Sequence, residues 1–146
     1  MHHQEFMQLT ISEAQKAGTP FAASIAMGND ILVTKVQSVS PEHDPTAHAI
    51  VLALRELGQL THQTDFSGYT LYSTCEPCMM CGGAALWSHI GEIYYGVPRT
   101  WITQHYKNND PGCSKVLKKS IEQLTIHPEF MFKECIHLFE QILIRF

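Results

Sequence analysis

Charge is the scarcest ingredient of this 146-residue sequence. Asp, Glu, Lys and Arg together make up 16%, against about 25% in an average globular protein. A surface so poor in charge hides part of itself against a partner, so an oligomer is expected. A basic excess is also missing: 14 acidic residues outnumber 10 basic ones, for a net charge of −4. That argues against a dedicated nucleic-acid binder. No apolar run approaches the ~20 residues that span a bilayer. Met1-His2-His3-Gln4-Glu5 has no run of signal-peptide length behind it. A soluble, cytoplasmic protein without a membrane partner is expected. Internal repeats and low-complexity tracts are absent, and residues 1–146 read as one domain. The 45% of hydrophobic residues is enough for a core. This excludes a disordered chain, a collagen-like repeat and a disulfide-dense miniprotein.

Cysteine is present in an odd number. Of the five, Cys75, Cys78 and Cys81 fall within seven residues, and Cys113 and Cys135 stand apart. An odd, clustered set without a secretion signal points to metal or redox chemistry rather than a disulfide framework.

Apolar spacing predicts a first helix over Phe6–Ala17, ended by Gly18 and Pro20. Phe21–Met27 and Ile31–Val36 flank Gly28-Asn29-Asp30 and read as a hairpin. After a polar loop, Ser38–His43, Asp44 is expected to cap a helix over Thr46–Leu57 with Pro45 at its start and Gly58 at its end. Tyr69–Ser73 and Ile93–Val97 read as strands around a helix over Cys78–Ser88 that Pro77 opens. Ser114–Gln123 reads as a short helix, Leu124–Cys135 as strand-like material broken by Pro128, and Ile136–Arg145 as a last helix. Alternating helices and strands after a hairpin indicate a three-layer α/β domain with a mixed sheet.

Two of these helix starts carry the chemistry: Asp44-Pro45-Thr46-Ala47-His48-Ala49-Ile50 and Ser73-Thr74-Cys75-Glu76-Pro77-Cys78-Met79-Met80-Cys81. Cys78 and Cys81, three apart, are neighbours on one helix face. The positive end of a helix dipole favours the thiolate, the metal-binding form. A Cys-x-x-Cys pair alone reads as a redox motif or a packing accident, and a lone His as a surface or core residue. Together, each beside a helix-opening proline, they point to a metal. One imidazole and two thiolates suit Zn²⁺, and three protein ligands leave the fourth tetrahedral position open, as in catalytic sites.

At these residues the chain resembles the zinc-dependent cytidine deaminase-like superfamily, with its His-x-Glu and Pro-Cys-x-x-Cys signature. The superfamily includes guanine deaminases, cytosine deaminases and tRNA adenosine deaminases. The resemblance implies an α/β/α sandwich around a five-stranded mixed sheet and a homodimer. It also implies one Zn²⁺ per chain held by His48, Cys78 and Cys81, and hydrolytic deamination of a nucleobase, nucleoside or related amino-heterocycle. The sequence departs from the pattern at the catalytic position. Ile50 stands where the family has the Glu that takes a proton from zinc-bound water and delivers protons to the ring and the leaving ammonia. Losing a general acid/base costs about 10²–10⁴ in rate, so the activity is expected to be impaired or absent. Glu56, about 9 Å further along the helix axis, is too far to substitute. Glu76 matches a residue that holds the helix start.

Family members place a substrate-contacting Asn about ten residues before the zinc His. Here that position is Ser38, beside Gln37. Phe21 is expected in the core with a prospect of lining the base pocket, and Trp87 is expected in the core. Asp110, in the stretch His105 to Asp110, matches the region where guanine deaminase-like members carry pocket residues. Cys75 reads as a buried thiol. The lysines at 115, 118 and 119 form too small a cluster for tRNA. Two alternatives to an active enzyme of small heterocycles remain: a catalytically dead zinc-binding module used for ligand binding or interaction, and a tRNA adenosine deaminase.

Overall fold

The computed structural model describes residues 2–106, 112–116 and 124–144. Its elements are α1 (His3–Ala17), β1 (Ala22–Met27), β2 (Asp30–Val36), α2 (Val39–Glu42), α3 (Ala49–Thr61), β3 (Thr70–Cys75), α4 (Met79–Trp87), β4 (Glu92–Val97), α5 (Arg99–His105), α6 (Cys113–Val116), β5 (Thr125–His127) and α7 (Phe132–Ile144). The strands form one five-stranded sheet in the order β2-β1-β3-β4-β5. β1 is antiparallel to β2 and β3, whereas β3, β4 and β5 run parallel.

Side chains alternate across each strand, and here both faces are apolar. Ala23, Ile25, Leu71 and Ile93 point into a core shared with Ala53, Leu57 and Ala85 of α3 and α4. Ala22, Ala26, Tyr72 and Tyr94 point the other way, against Met7, Ile11 and Phe139 of α1 and α7. Helices thus cover both faces, giving the expected three layers.

Several boundaries differ from the sequence reading, each for a local reason. α3 starts at Ala49, because Asp44 does not cap it. The Asp44 carboxylate instead accepts from the N–H and the hydroxyl of Thr46, at 2.9 and 2.7 Å, and closes a separate turn. α3 also runs through Gly58 and ends at His62, which takes the left-handed conformation at φ 55°. Gly58 lies inside the helix, where a Cβ would make an ordinary 3.4 Å contact with the Gln63 carbonyl oxygen. β3 continues to Cys75, anchored where the Thr74 hydroxyl donates to the Pro20 carbonyl at 2.6 Å. α7 begins at Phe132, and only three residues of the expected strand-like stretch pair in the sheet. Trp87 is not core but 88% exposed at the end of α4.

Candidate metal centre and cavity

α3 and α4 begin close together, and their first residues meet. His48 precedes α3 in an extended conformation, φ −72° and ψ 150°. The preceding turn holds it there: the Ser38 N–H donates to the Ala47 carbonyl at 2.9 Å, and the His48 N–H to that of Thr46 at 2.7 Å. Cys78 caps α4, its sulfur accepting from the Cys81 N–H at 3.5 Å. His48, Cys78 and Cys81 therefore present their ligand atoms within 4.8 Å of one another. His48 Nδ1 lies 3.6 Å from Cys78 Sγ and 3.5 Å from Cys81 Sγ.

These separations fit zinc. With Zn–S of about 2.3 Å and Zn–N of about 2.0–2.1 Å, tetrahedral angles place nitrogen and sulfur about 3.5–3.6 Å apart. The thiols are electrostatically prepared as well. A hydrogen bond from the Cys81 thiol, with others from His48 and the Cys81 N–H, holds the Cys78 thiol well below its ordinary pKa despite its burial. Cys81, on the other side of that shared proton, is pushed up by its neighbour and by burial. Two adjacent thiols that give up one proton easily and the second reluctantly suit a cation that displaces both.

The three side chains line a cavity of about 290 Å³ whose wall also includes Phe21, Gln37, Val39, Ile50, Cys75 and Arg99. Phe21 and Ile50 both stand on this wall. Ser38 does not line the cavity, although its neighbours Gln37 and Val39 do. Its turn directs Gln37 inward and leaves Ser38 outside. Asp110, Lys118 and Lys119 lie outside the described residues.

No carboxylate lines the cavity among the described residues. Glu56 is paired with Lys35 at 2.8 Å. Glu76, only 6% exposed, turns its carboxylate to the Arg99 backbone N–H at 3.3 Å, fastening α4 to α5. Cys75 is a buried thiol pushed up to about 11 by burial, and burial pushes Cys113 and Cys135 up to about 12. None of these three joins the His48 group.

The family model for the cytidine and deoxycytidylate deaminase zinc-binding region matches residues 1–97. The chain belongs to this deaminase family. Among curated deaminases, it is 31% identical over 131 residues to the guanine deaminase of Bacillus subtilis (strain 168), covering 86% of this chain and 83% of that protein. It is 39% identical over 119 residues to a tRNA-specific adenosine deaminase of Buchnera aphidicola subsp. Schizaphis graminum, covering 80% and 74%. The X-ray structure of the B. subtilis guanine deaminase superposes with a TM-score of 0.65 at 31% identity, over 71% of this chain and 69% of that one. A guanine deaminase from Nitrosomonas europaea shares the fold at a TM-score of 0.78 and 20% identity, over 97% and 82%. The group at His48, Cys78 and Cys81 is one that could bind a single zinc ion in this deaminase domain.

Sequence reasoning missed Gln37, Val39 and Arg99. A signal existed for Arg99. Ligands of α/β sheets gather beyond the carboxyl ends of the parallel strands, and Val97-Pro98-Arg99 leaves β4 there, alongside the Cys75–Cys78 exit of its parallel neighbour β3.

Proposed function

We propose that this chain is a zinc-binding deaminase whose cavity holds an amino-heterocycle, and whose hydrolytic deamination is stopped or strongly slowed by Ile50. One observation carries the reading: His48 Nδ1 stands 3.6 and 3.5 Å from two sulfurs in a cavity wall that holds Ile50. His48, Cys78 and Cys81 would hold one ion per chain, and the whole of residues 1–146 would act as one zinc-binding domain. When bound, the metal supplies an acidified water as nucleophile. Phe21 and Val39 give an apolar wall to a planar ring. Gln37 binds the Val39 N–H through Oε1 at 3.0 Å, which leaves its amide N–H groups for a ring acceptor. The contact expected of Ser38 thus falls to Gln37. Ile50 can neither hold nor move a proton, so ring protonation and ammonia departure lack their donor.

The same side chain favours a second reading of another class, a catalytically dead zinc-binding module that keeps the cavity for ligand or partner binding. A third, tRNA adenosine deamination, draws support from the 39% identical relative; the net charge of −4 weighs against it. We also propose a homodimer through α3 and α4. Their surface exposes Trp87 at 88%, Leu60 at 58% and Met79 at 51%, beside a groove lined by Val51, Leu54, Phe66 and Ala84.

The test is ammonia release by zinc-loaded Ile50→Glu on guanine, cytosine, adenosine, cytidine, aminated triazines and pterins, and an anticodon stem-loop. Turnover of a free heterocycle supports the first reading, and turnover of the stem-loop alone supports the third. No turnover of any, with zinc retained, leaves the dead module.

A further inference from the structure

Gly112 stands where the chain returns to the metal-binding loop. It is buried and pairs with Cys78 in an isolated antiparallel bridge. Beside it, the Cys113 N–H donates to the Pro77 carbonyl at 2.9 Å. The peptide that leads into Cys78 is therefore held from outside its own helix. The other two donors are held differently: a local turn fixes His48, and α4 carries Cys81.

The bridge has a steric base. Gly112 does not take a positive φ, so its conformation does not call for glycine. Space does: a Cβ at position 112 would overlap Oε2 of Glu76. Close approach of a backbone is one of the uses of glycine. Glu76 is tied down on three sides. Its N–H donates to the Val97 carbonyl at 2.7 Å, its carbonyl accepts from Arg99 Nε at 3.1 Å, and Oε1 accepts from the Arg99 backbone N–H at 3.3 Å. The carboxylate is thus a fixed seat for Gly112, anchored to the end of β4 and the start of α5.

Cys78 is extended, at φ −69° and ψ 175°. That conformation suits the bridge. It also turns the sulfur back to accept from the Cys81 N–H at 3.5 Å and to stand 3.6 Å from His48 Nδ1. Loosening the bridge frees the Cys78 backbone to rotate, which moves this sulfur and leaves the other two donors on their own supports.

We propose that Gly112 is a positioning residue for the metal centre: seated on the Glu76 carboxylate, it clamps Cys78 in the extended conformation that aims its sulfur at the ion. The proposal rests on His48, Cys78 and Cys81 being the zinc site, and it adds the contact that sets one of the three donors. Groups that orient a metal-binding side chain are worth about 10–100-fold in metal affinity.

The test is a double-mutant cycle on the full chain: Gly112→Ala, Glu76→Asp and the two together. Competition with a chromophoric chelator gives the zinc affinity. The thiolate-to-metal charge-transfer band of the cobalt-loaded protein, per bound cobalt, counts the sulfurs on the ion. Gly112→Ala pushes the seat aside, and Glu76→Asp withdraws it by one methylene. Each should weaken zinc about ten-fold or more and diminish the band. In the double variant the added methyl fills the space that the shorter carboxylate leaves, so most of both losses should be recovered. Parent-like affinity in either single variant, losses that add in the double variant, or weaker binding with an undiminished band overturns the proposal. If Gly112→Ala alone does not fold, the double variant against Glu76→Asp makes the same comparison. Tighter zinc and a stronger band in the double variant then support the clamp, and no gain, or no folded double variant, overturns it. A parent protein that takes up neither metal overturns the zinc site itself.

Discussion

Ile50 lies two residues beyond His48, on the first turn of α3, and both side chains line the same cavity. Ile50 is 4% exposed and belongs to the apolar core that also contains Cys78 and Cys81. The metal-binding group and Ile50 are therefore parts of one packed unit. A substitution at Ile50 therefore leaves every metal-binding side chain in place, and on the proposed reading it changes proton transfer alone.

The metal prediction follows from the donor set. Purified protein should carry about one zinc per chain, and Cys81→Ala should lose most of it, because two remaining donors cannot hold the ion tightly. Elemental analysis of both proteins decides the matter. Full loading of Cys81→Ala would remove Cys81 from the metal site.

A pH effect is expected on the opposite face of the sheet. His3 Nδ1 lies 2.6 Å from the Tyr72 hydroxyl, Nε2 lies 3.1 Å from the Tyr94 hydroxyl, and the ring stacks on Tyr94 at 4.3 Å. Burial lowers its pKa below the ordinary 6.5. The unfolded chain therefore takes up this proton before the folded one does. The contribution of His3 is complete above pH 6.5 and is lost as pH falls towards the lowered folded value. His3→Phe should flatten the decline of Tm between pH 7 and pH 5; parallel profiles for the two proteins would contradict this.

Close packing gives a stability prediction. A Cβ on Gly96 would collide with the Cys135 side chain and lie 2.9 Å from the Thr74 carbonyl oxygen. Gly96→Ala should therefore destabilise the fold by about 1–3 kcal/mol, as overpacking does. Urea unfolding measures it, and an unchanged midpoint would mean that α7 gives way freely.

Much of this was legible from spacing. The hairpin, the alternation of helix and strand, and the meeting of His48 with Cys78 and Cys81 follow from apolar periodicity and from ligand-type residues near Pro45 and Pro77. Other features depend on partners distant in the chain, which no local pattern reveals. Gly58 looks like a helix stop by residue type, yet α3 continues past it to Thr61 and ends at the left-handed His62. Trp87 looks like core because an aromatic residue in an apolar helix normally is, yet it is exposed at the end of α4. Gln37 and Arg99 reach the cavity only because β2 and β4 end beside it.

The dimer makes the exposure of Trp87 testable. Sedimentation should give a dimer at micromolar concentration and a monomer for Trp87→Glu, which puts a charge into the proposed interface. A monomeric parent protein would rule out the dimer, and a dimeric Trp87→Glu would move the interface elsewhere.

On the proposed reading, Ile50 is what separates this chain from an active deaminase. The measurement is the ratio of ammonia-release rates, Ile50→Glu over the parent protein, on whichever heterocycle the variant turns over, with zinc content matched. Restoring a general acid/base is worth about 10²–10⁴, or roughly 3–5 kcal/mol of barrier, and the predicted ratio lies in that range or above it. A ratio near one, with the parent protein already turning over at an ordinary rate, would contradict the account.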